Sequence, residues 1–96
     1  MNQEHSDIKG IIESLIFISE KPLPKEEIMQ VIEGVDKQII ETLVAELRKE
    51  HEEKNSGLRI AEIAGGYQMT TSPKFSSYLK KYYKIKHAEN LGEVVI

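Results

Sequence analysis

The 96-residue chain contains no cysteine, no tryptophan, only three prolines, and no apolar run longer than Leu15-Ile16-Phe17-Ile18. Without cysteine there is no disulfide, no thiolate metal site and no thiol nucleophile, a composition that suits a reducing compartment. A four-residue apolar run is far short of the roughly 20 residues that a membrane helix requires. The opening MNQEHSDIK is polar and acidic, unlike the basic-then-apolar layout of a secretory leader. A cytoplasmic protein with no membrane segment is the expectation.

What is present is 40% apolar and 30% charged side chains, enough for one modest core in too little chain for two ordinary domains. The net charge of −3 conceals a division. Residues 1–57 carry seven basic and thirteen acidic side chains, whereas residues 58–96 carry six and three. Five of those six basic residues are lysines between 74 and 86 with no acid among them. Contact with a polyanion is therefore expected from the C-terminal third rather than elsewhere.

Ile8, Ile11, Ile12, Leu15, Ile16 and Ile18 follow a helical period from Ser6, a candidate N-cap, to about Lys21, and Phe17 falls off that stripe. Pro22 cannot continue the helix. Pro24 opens a second, short one over about 24–33, with Ile28, Val31 and Ile32 inward and Gly34 ending it. Asp36 caps a third helix to about Lys54, on which Ile39, Ile40, Leu43, Val44 and Leu47 face inward. Beyond Leu47 the apolar stripe stops, and the helix end reads as solvated.

Leu58 to Ala64 and Tyr67 to Thr71 alternate like strands on either side of Gly65-Gly66, and a glycine pair suits the positive φ of a two-residue hairpin turn. That pairing sets Ile60 opposite Thr71 and Glu62 opposite Met69. It gathers Leu58, Ile60, Tyr67 and Met69 on one face and leaves Ile63 exposed near the tip. Ser72-Pro73 starts a fourth helix through Lys84, with Phe75, Leu79 and Tyr82 inward and Lys80, Lys81 and Lys84 outward. Helix, helix, longer helix, hairpin, helix is the order of a winged helix, a mostly helical α+β fold, here assigned to residues 1–84. Residues 85–96 are weakly patterned and read as a C-terminal tail or the start of a missing second domain.

Chemistry finds little purchase. A phosphate loop needs a helix N-terminus after its glycines, and Gly65-Gly66 is followed by the alternating run YQMTT. His5, His51 and His87 are scattered and each reads as a solvated surface histidine. Glu26-Glu27 is explained by the helix dipole, and Ser76-Ser77 has no base beside it. No catalytic, cofactor or metal residues are expected.

The stretch YLKKYYKIK at 78–86 admits two readings. The favoured one is an amphipathic helix with buried aromatics and solvated lysines; the other is weak nucleic-acid contact through Lys80, Lys81, Lys84 and Lys86. The third helix would lie in the major groove of a DNA-reading winged helix, yet residues 36–54 hold six acids and four bases. A protein-binding module is preferred on that ground, with a DNA-binding transcriptional regulator as the alternative.

Three stretches, IIESLIFISEKPLPKEEI at 11–28, GLRIAEIAGGYQMTTSPKF at 57–75 and YLKKYY at 78–83, together resemble the segregation and condensation protein B family. The resemblance implies a non-enzymatic accessory subunit of the bacterial SMC–kleisin complex, acting in chromosome condensation and segregation in the cytoplasm at the nucleoid. It implies two tandem winged-helix domains, of which the first homodimerises and the second grips the kleisin subunit, ScpA, and through it SMC. Gly65, Gly66 and Tyr67 carry over as structural wing residues. The chain departs from the family where IKHAENLGEVVI replaces the long apolar helix of a second domain, and Pro24 stands where the family has serine. The chain is accordingly expected to be an isolated N-terminal domain or a truncated version, for which self-association is expected more than kleisin binding by this chain alone. Phe17, Ile18, Met29 and Ile63, apolar and off the main core stripes, are the candidate interface residues.

Overall fold

The computed structural model describes the backbone of residues 5–95 and the side chains of residues 5–89. The elements are α1 (His5–Ile18), α2 (Lys25–Val31), α3 (Lys37–Glu53), the antiparallel hairpin β1 (Leu58–Ile63) and β2 (Gly66–Thr71), a 3-10 turn (Pro73–Phe75), and α4 (Ser76–Val95). This is a winged helix. Its core joins Ile12 and Ile16 of α1, Ile28 of α2 and Ile40, Leu43, Val44 and Leu47 of α3 to Leu23, Ile60 and Tyr67 beneath the wing.

Local chemistry sets the ends of α3. The Asp36 carboxylate accepts the Ile39 N–H at 2.8 Å and satisfies one of the free donors of the first turn. After α3, Asn55 takes φ +54, a left-handed conformation that asparagine tolerates. Ser72, almost fully buried, then accepts the Lys74 N–H at 3.2 Å to start the 3-10 turn, and its own N–H reaches Gly57 O at 2.8 Å.

Several expectations need correction. Ser6 lies inside α1 rather than capping it, and α1 stops at Ile18 instead of Lys21. The helix α2 is only seven residues long: Ile28 and, just past the helix end, Ile32 meet the core, and Val31 points outward. Ile39 is likewise exposed, because Ile40, Leu43, Val44 and Leu47 already fill the inner face of α3. Met29, expected at the surface, packs partly against the core.

The wing turn is Ala64-Gly65, not Gly65-Gly66, with φ +50 and +79 at the two positions, as a type I′ hairpin requires. Ile60 therefore pairs with Met69 and Glu62 with Tyr67. The shift equals one full strand period, so every side chain keeps the face expected for it.

Gly66 is needed for space instead. The segment between α1 and α2, expected only to break a helix, pairs with the wing: Leu23 N–H donates to Tyr67 O at 2.8 Å and Tyr67 N–H to Leu23 O at 2.9 Å. A Cβ on Gly66 would lie 2.7 Å from Pro22 C and 2.8 Å from Leu23 N.

The fourth helix continues past Lys84 to Val95 without a break, and the side chains of the expected tail from Asn90 onward lie outside the described residues. Phe75 and Leu79 are half-buried, but Tyr82, expected in the core, is exposed. Among the described residues, the only extensive packing of α4 is on the 3-10 turn before it. The radius of gyration, 17.2 Å, accordingly exceeds the roughly 12.5 Å of a compact domain of this length.

Candidate protein-binding surfaces

Lys37, Glu41, Glu46 and Glu50 of α3 are turned toward its neighbours. Lys37 meets Glu26 of α2 at 2.9 Å and Lys25 meets Glu41 at 2.8 Å. From α1, His5 reaches Glu46 at 2.9 Å, and Lys9 bridges Glu46 and Glu50. Hydrogen bonds from these partners hold the Glu26 and Glu46 carboxyls below their ordinary range, Lys37 acting on the first and chiefly His5 on the second. The bonds that Lys9 and Lys25 donate to Glu50 and Glu41 raise the two lysines above their ordinary range.

His51 belongs to the same seam and is not a solvated histidine. Its Nε2 lies 2.9 Å from Glu13 of α1 and its Nδ1 3.1 Å from Ser56 Oγ. In the neutral tautomer Nε2–H donates to the carboxylate, the Ser56 hydroxyl donates to Nδ1, and Ser56 Oγ also accepts the Leu58 N–H at 3.1 Å. The end of α3, expected to be free in solvent, is thereby fastened to α1 and to the start of the wing. Among the described residues no three His, Asp or Glu side chains are grouped so as to hold a metal ion.

At the wing root Tyr67 is buried, and Lys25 stands 5.7 Å from its ring centroid. Burial pushes the Tyr67 hydroxyl above its ordinary range, opposed by the Lys25 charge. Of the expected wing residues, Gly65 forms the turn while Gly66 and Tyr67 anchor β2 against Leu23.

Two exposed surfaces among the described residues suit partners. At the C-terminal end of α1, Phe17 and Ile18 are 66% and 70% exposed. They line an open groove of about 400 Å³ with Leu58 and Met69 from the wing, bordered by Glu13, Ser14 and His51. Ile63 is exposed near the wing tip, and neither it nor Met29 lines this groove. Leu58 and Met69 were placed on the correct face of the hairpin by their alternation, but no local pattern could bring them to Phe17.

The second surface is α4. Tyr78, Tyr82 and Tyr83 are 72%, 54% and 70% exposed, and Lys80, Lys81, Lys84 and Lys86 are exposed beside them. Lys86 lies 5.8 Å from the Tyr82 ring centroid and 3.1 Å from Glu89. The reading in which these aromatics fill a core does not survive.

The sequence matches the family model described as segregation and condensation complex subunit ScpB over residues 10–96. Segregation and condensation protein B of Symbiobacterium thermophilum is 38% identical over 78 residues, covering 81% of this chain and 35% of that protein. The protein of that name from Ruminiclostridium cellulolyticum is 33% identical over 90 residues, covering 94% of this chain and 47% of its own length. The chain thus spans less than half the length of either relative. A solved dimer of the ScpB N-terminal domain complexed with ScpA peptide is similar with a TM-score of 0.71 and 26% identity, covering 78% of this chain and 86% of that one.

Proposed function

This chain belongs to the segregation and condensation protein B family, and from that premise we propose that it is a non-enzymatic, dimerising module of the bacterial SMC–kleisin complex. Its work is shape and partner contact in chromosome condensation and segregation, in the cytoplasm at the nucleoid. The observation that carries the reading is the likeness, over most of its length, to an N-terminal domain that forms a dimer and binds a kleisin peptide. Residues 1–84 form the winged-helix domain in this reading, and 85–96 extend it.

Phe17 and Ile18 supply the centre of the dimer face. Both are apolar, adjacent and mostly exposed on a groove shared with the wing, and a protein–protein interface needs such an apolar centre to exclude water. Sedimentation velocity of the chain at micromolar concentration tests the proposal. A concentration-dependent dimer is expected, dissociated by Phe17→Asp or Ile18→Asp with the helical signal retained. A monomer at every concentration refutes the dimer, and a dimer indifferent to both substitutions moves its face elsewhere. Kleisin engagement is tested separately, by titrating the chain with ScpA.

A further inference from the structure

Between Tyr78 and Glu89, α4 presents Tyr78, Tyr82 and Ile85 at i, i+4 and i+7, the spacing by which one helix packs along another. All three are at least half exposed. Written as a heptad, Tyr78 and Ile85 take d, Tyr82 and Glu89 take a, Lys81 takes g, and Leu79 and Lys86 take e. The apolar part of this seam, Tyr78, Tyr82 and Ile85, is therefore flanked by a lysine on each side, and Glu89 ends it. Two copies of α4 packed in parallel would set Lys81 against Lys86 of the other copy, and an antiparallel pair would set like positions, again lysines, against each other. Charge opposes self-pairing through this seam in both orientations.

We infer that α4 is a docking helix for an acidic amphipathic helix of another protein, apolar at a and d and bearing Glu or Asp at e and g. The inference rests on reading the domain as a protein-binding module, but not on the dimer. Lys80 and Lys84, on the far face, raise the encounter rate with an acidic partner without touching it. The exposed Lys86–Glu89 pair is a weak competitor for the incoming carboxylate. A single-stranded nucleic acid is the other polyanion to weigh. A strand-binding surface aligns stacked bases and phosphates along one groove, whereas Lys80 and Lys84 lie opposite the tyrosine seam.

Fluorescence anisotropy with the whole chain at low salt decides, using two labelled three-heptad peptides with Leu at a and d. One carries Glu at every e and g position, the other Lys; a labelled oligo-dT is the third probe. The Glu peptide is expected to bind at least about tenfold more tightly than the Lys peptide. Tyr82→Ala should abolish that binding, and the double change Lys81→Glu with Lys86→Glu should reverse the preference. Circular dichroism establishes that these surface variants remain folded. The inference is overturned by absent Glu-peptide binding, by equal binding of both peptides, by a preference that survives the double change, or by tighter binding of oligo-dT. A dimer that ignores the Glu peptide refutes this inference alone, and a monomer that binds it refutes the dimer alone.

Discussion

Gly66→Ala places one methyl group against the Pro22–Leu23 backbone: 2.7 Å from Pro22 C, 2.8 Å from Leu23 N and 2.9 Å from Leu23 C. No side-chain rotation can relieve such contacts, so the chain between α1 and α2 must separate from β2. The Leu23–Tyr67 pair of hydrogen bonds, at 2.8 and 2.9 Å, is lost or stretched, at about 1 kcal/mol each. Overpacking strain adds about 1–3 kcal/mol, since buried Tyr67 and Leu23 shift with their backbones. A total of about 3–5 kcal/mol is expected, a large part of the roughly 5–15 kcal/mol available to a small domain. Gly65→Ala is the control. Its φ of +79 disfavours alanine, but no atom lies within 4 Å of the added Cβ, so about 1 kcal/mol is expected. Urea unfolding followed by circular dichroism measures both, with an unchanged m-value required for the comparison. Equal costs, or a Gly66→Ala variant within about 0.5 kcal/mol of the parent, would refute the packing argument.

Other outcomes follow from the same geometry. Ala64 sits at φ +50 in the first turn position, where asparagine is favoured, so Ala64→Asn should stabilise by about 0.5–1 kcal/mol in the same urea assay. Asp36→Ala removes the acceptor for Ile39 N–H and should cost about 1 kcal/mol in thermal unfolding. Glu26 and Glu46 have folded pKa values below the ordinary 4.5, so their contribution is present above that value and is lost as pH falls through the folded pKa. The stability difference between the parent and a Glu26→Gln, Glu46→Gln variant, measured across an acid series, should be open at neutral pH and close below the carboxylate range. Lys9 and Lys25, raised above 10.5, act on the opposite limb: their contribution holds below 10.5 and is lost in strong alkali.

Elements whose partners are near in sequence were legible in advance. The apolar periods of α1 and α3, the Asp36 cap, the Ser72-Pro73 start and the faces of the hairpin all follow from residues a few positions apart. What was missed depends on chain segments meeting at a distance. The pairing of Leu23 with Tyr67 carries no local signal, yet it explains both why Gly66 is glycine and why the turn moved to Ala64-Gly65. His51 looked solvated because its partner Glu13 lies 38 residues away. Tyr82 has the spacing of a core residue, and only the absence of an opposing element among the described residues distinguishes a stripe that is buried from one that is offered.

The same distinction bears on why a winged helix would serve proteins rather than DNA. On α3, Lys37 is paired with Glu26, and Glu41, Glu46 and Glu50 are tied to Lys25, His5 and Lys9. These charges fasten the other two helices, and the exposed Arg48 and Lys49 that remain are offset by Glu52 and Glu53 in the same helix end rather than presenting a purely basic face to a phosphate backbone. The unfastened surfaces are instead an apolar one at Phe17 and Ile18 and a basic, aromatic one on α4. Their chemistries are unlike enough to suit different partners. A surface that buries apolar side chains against a second copy has no use for lysine rims, and α4 repels its own copy. If both assignments hold, charge on α4 steers the copies to meet through α1 and the wing, leaving both α4 helices of the dimer free for a partner of opposite charge.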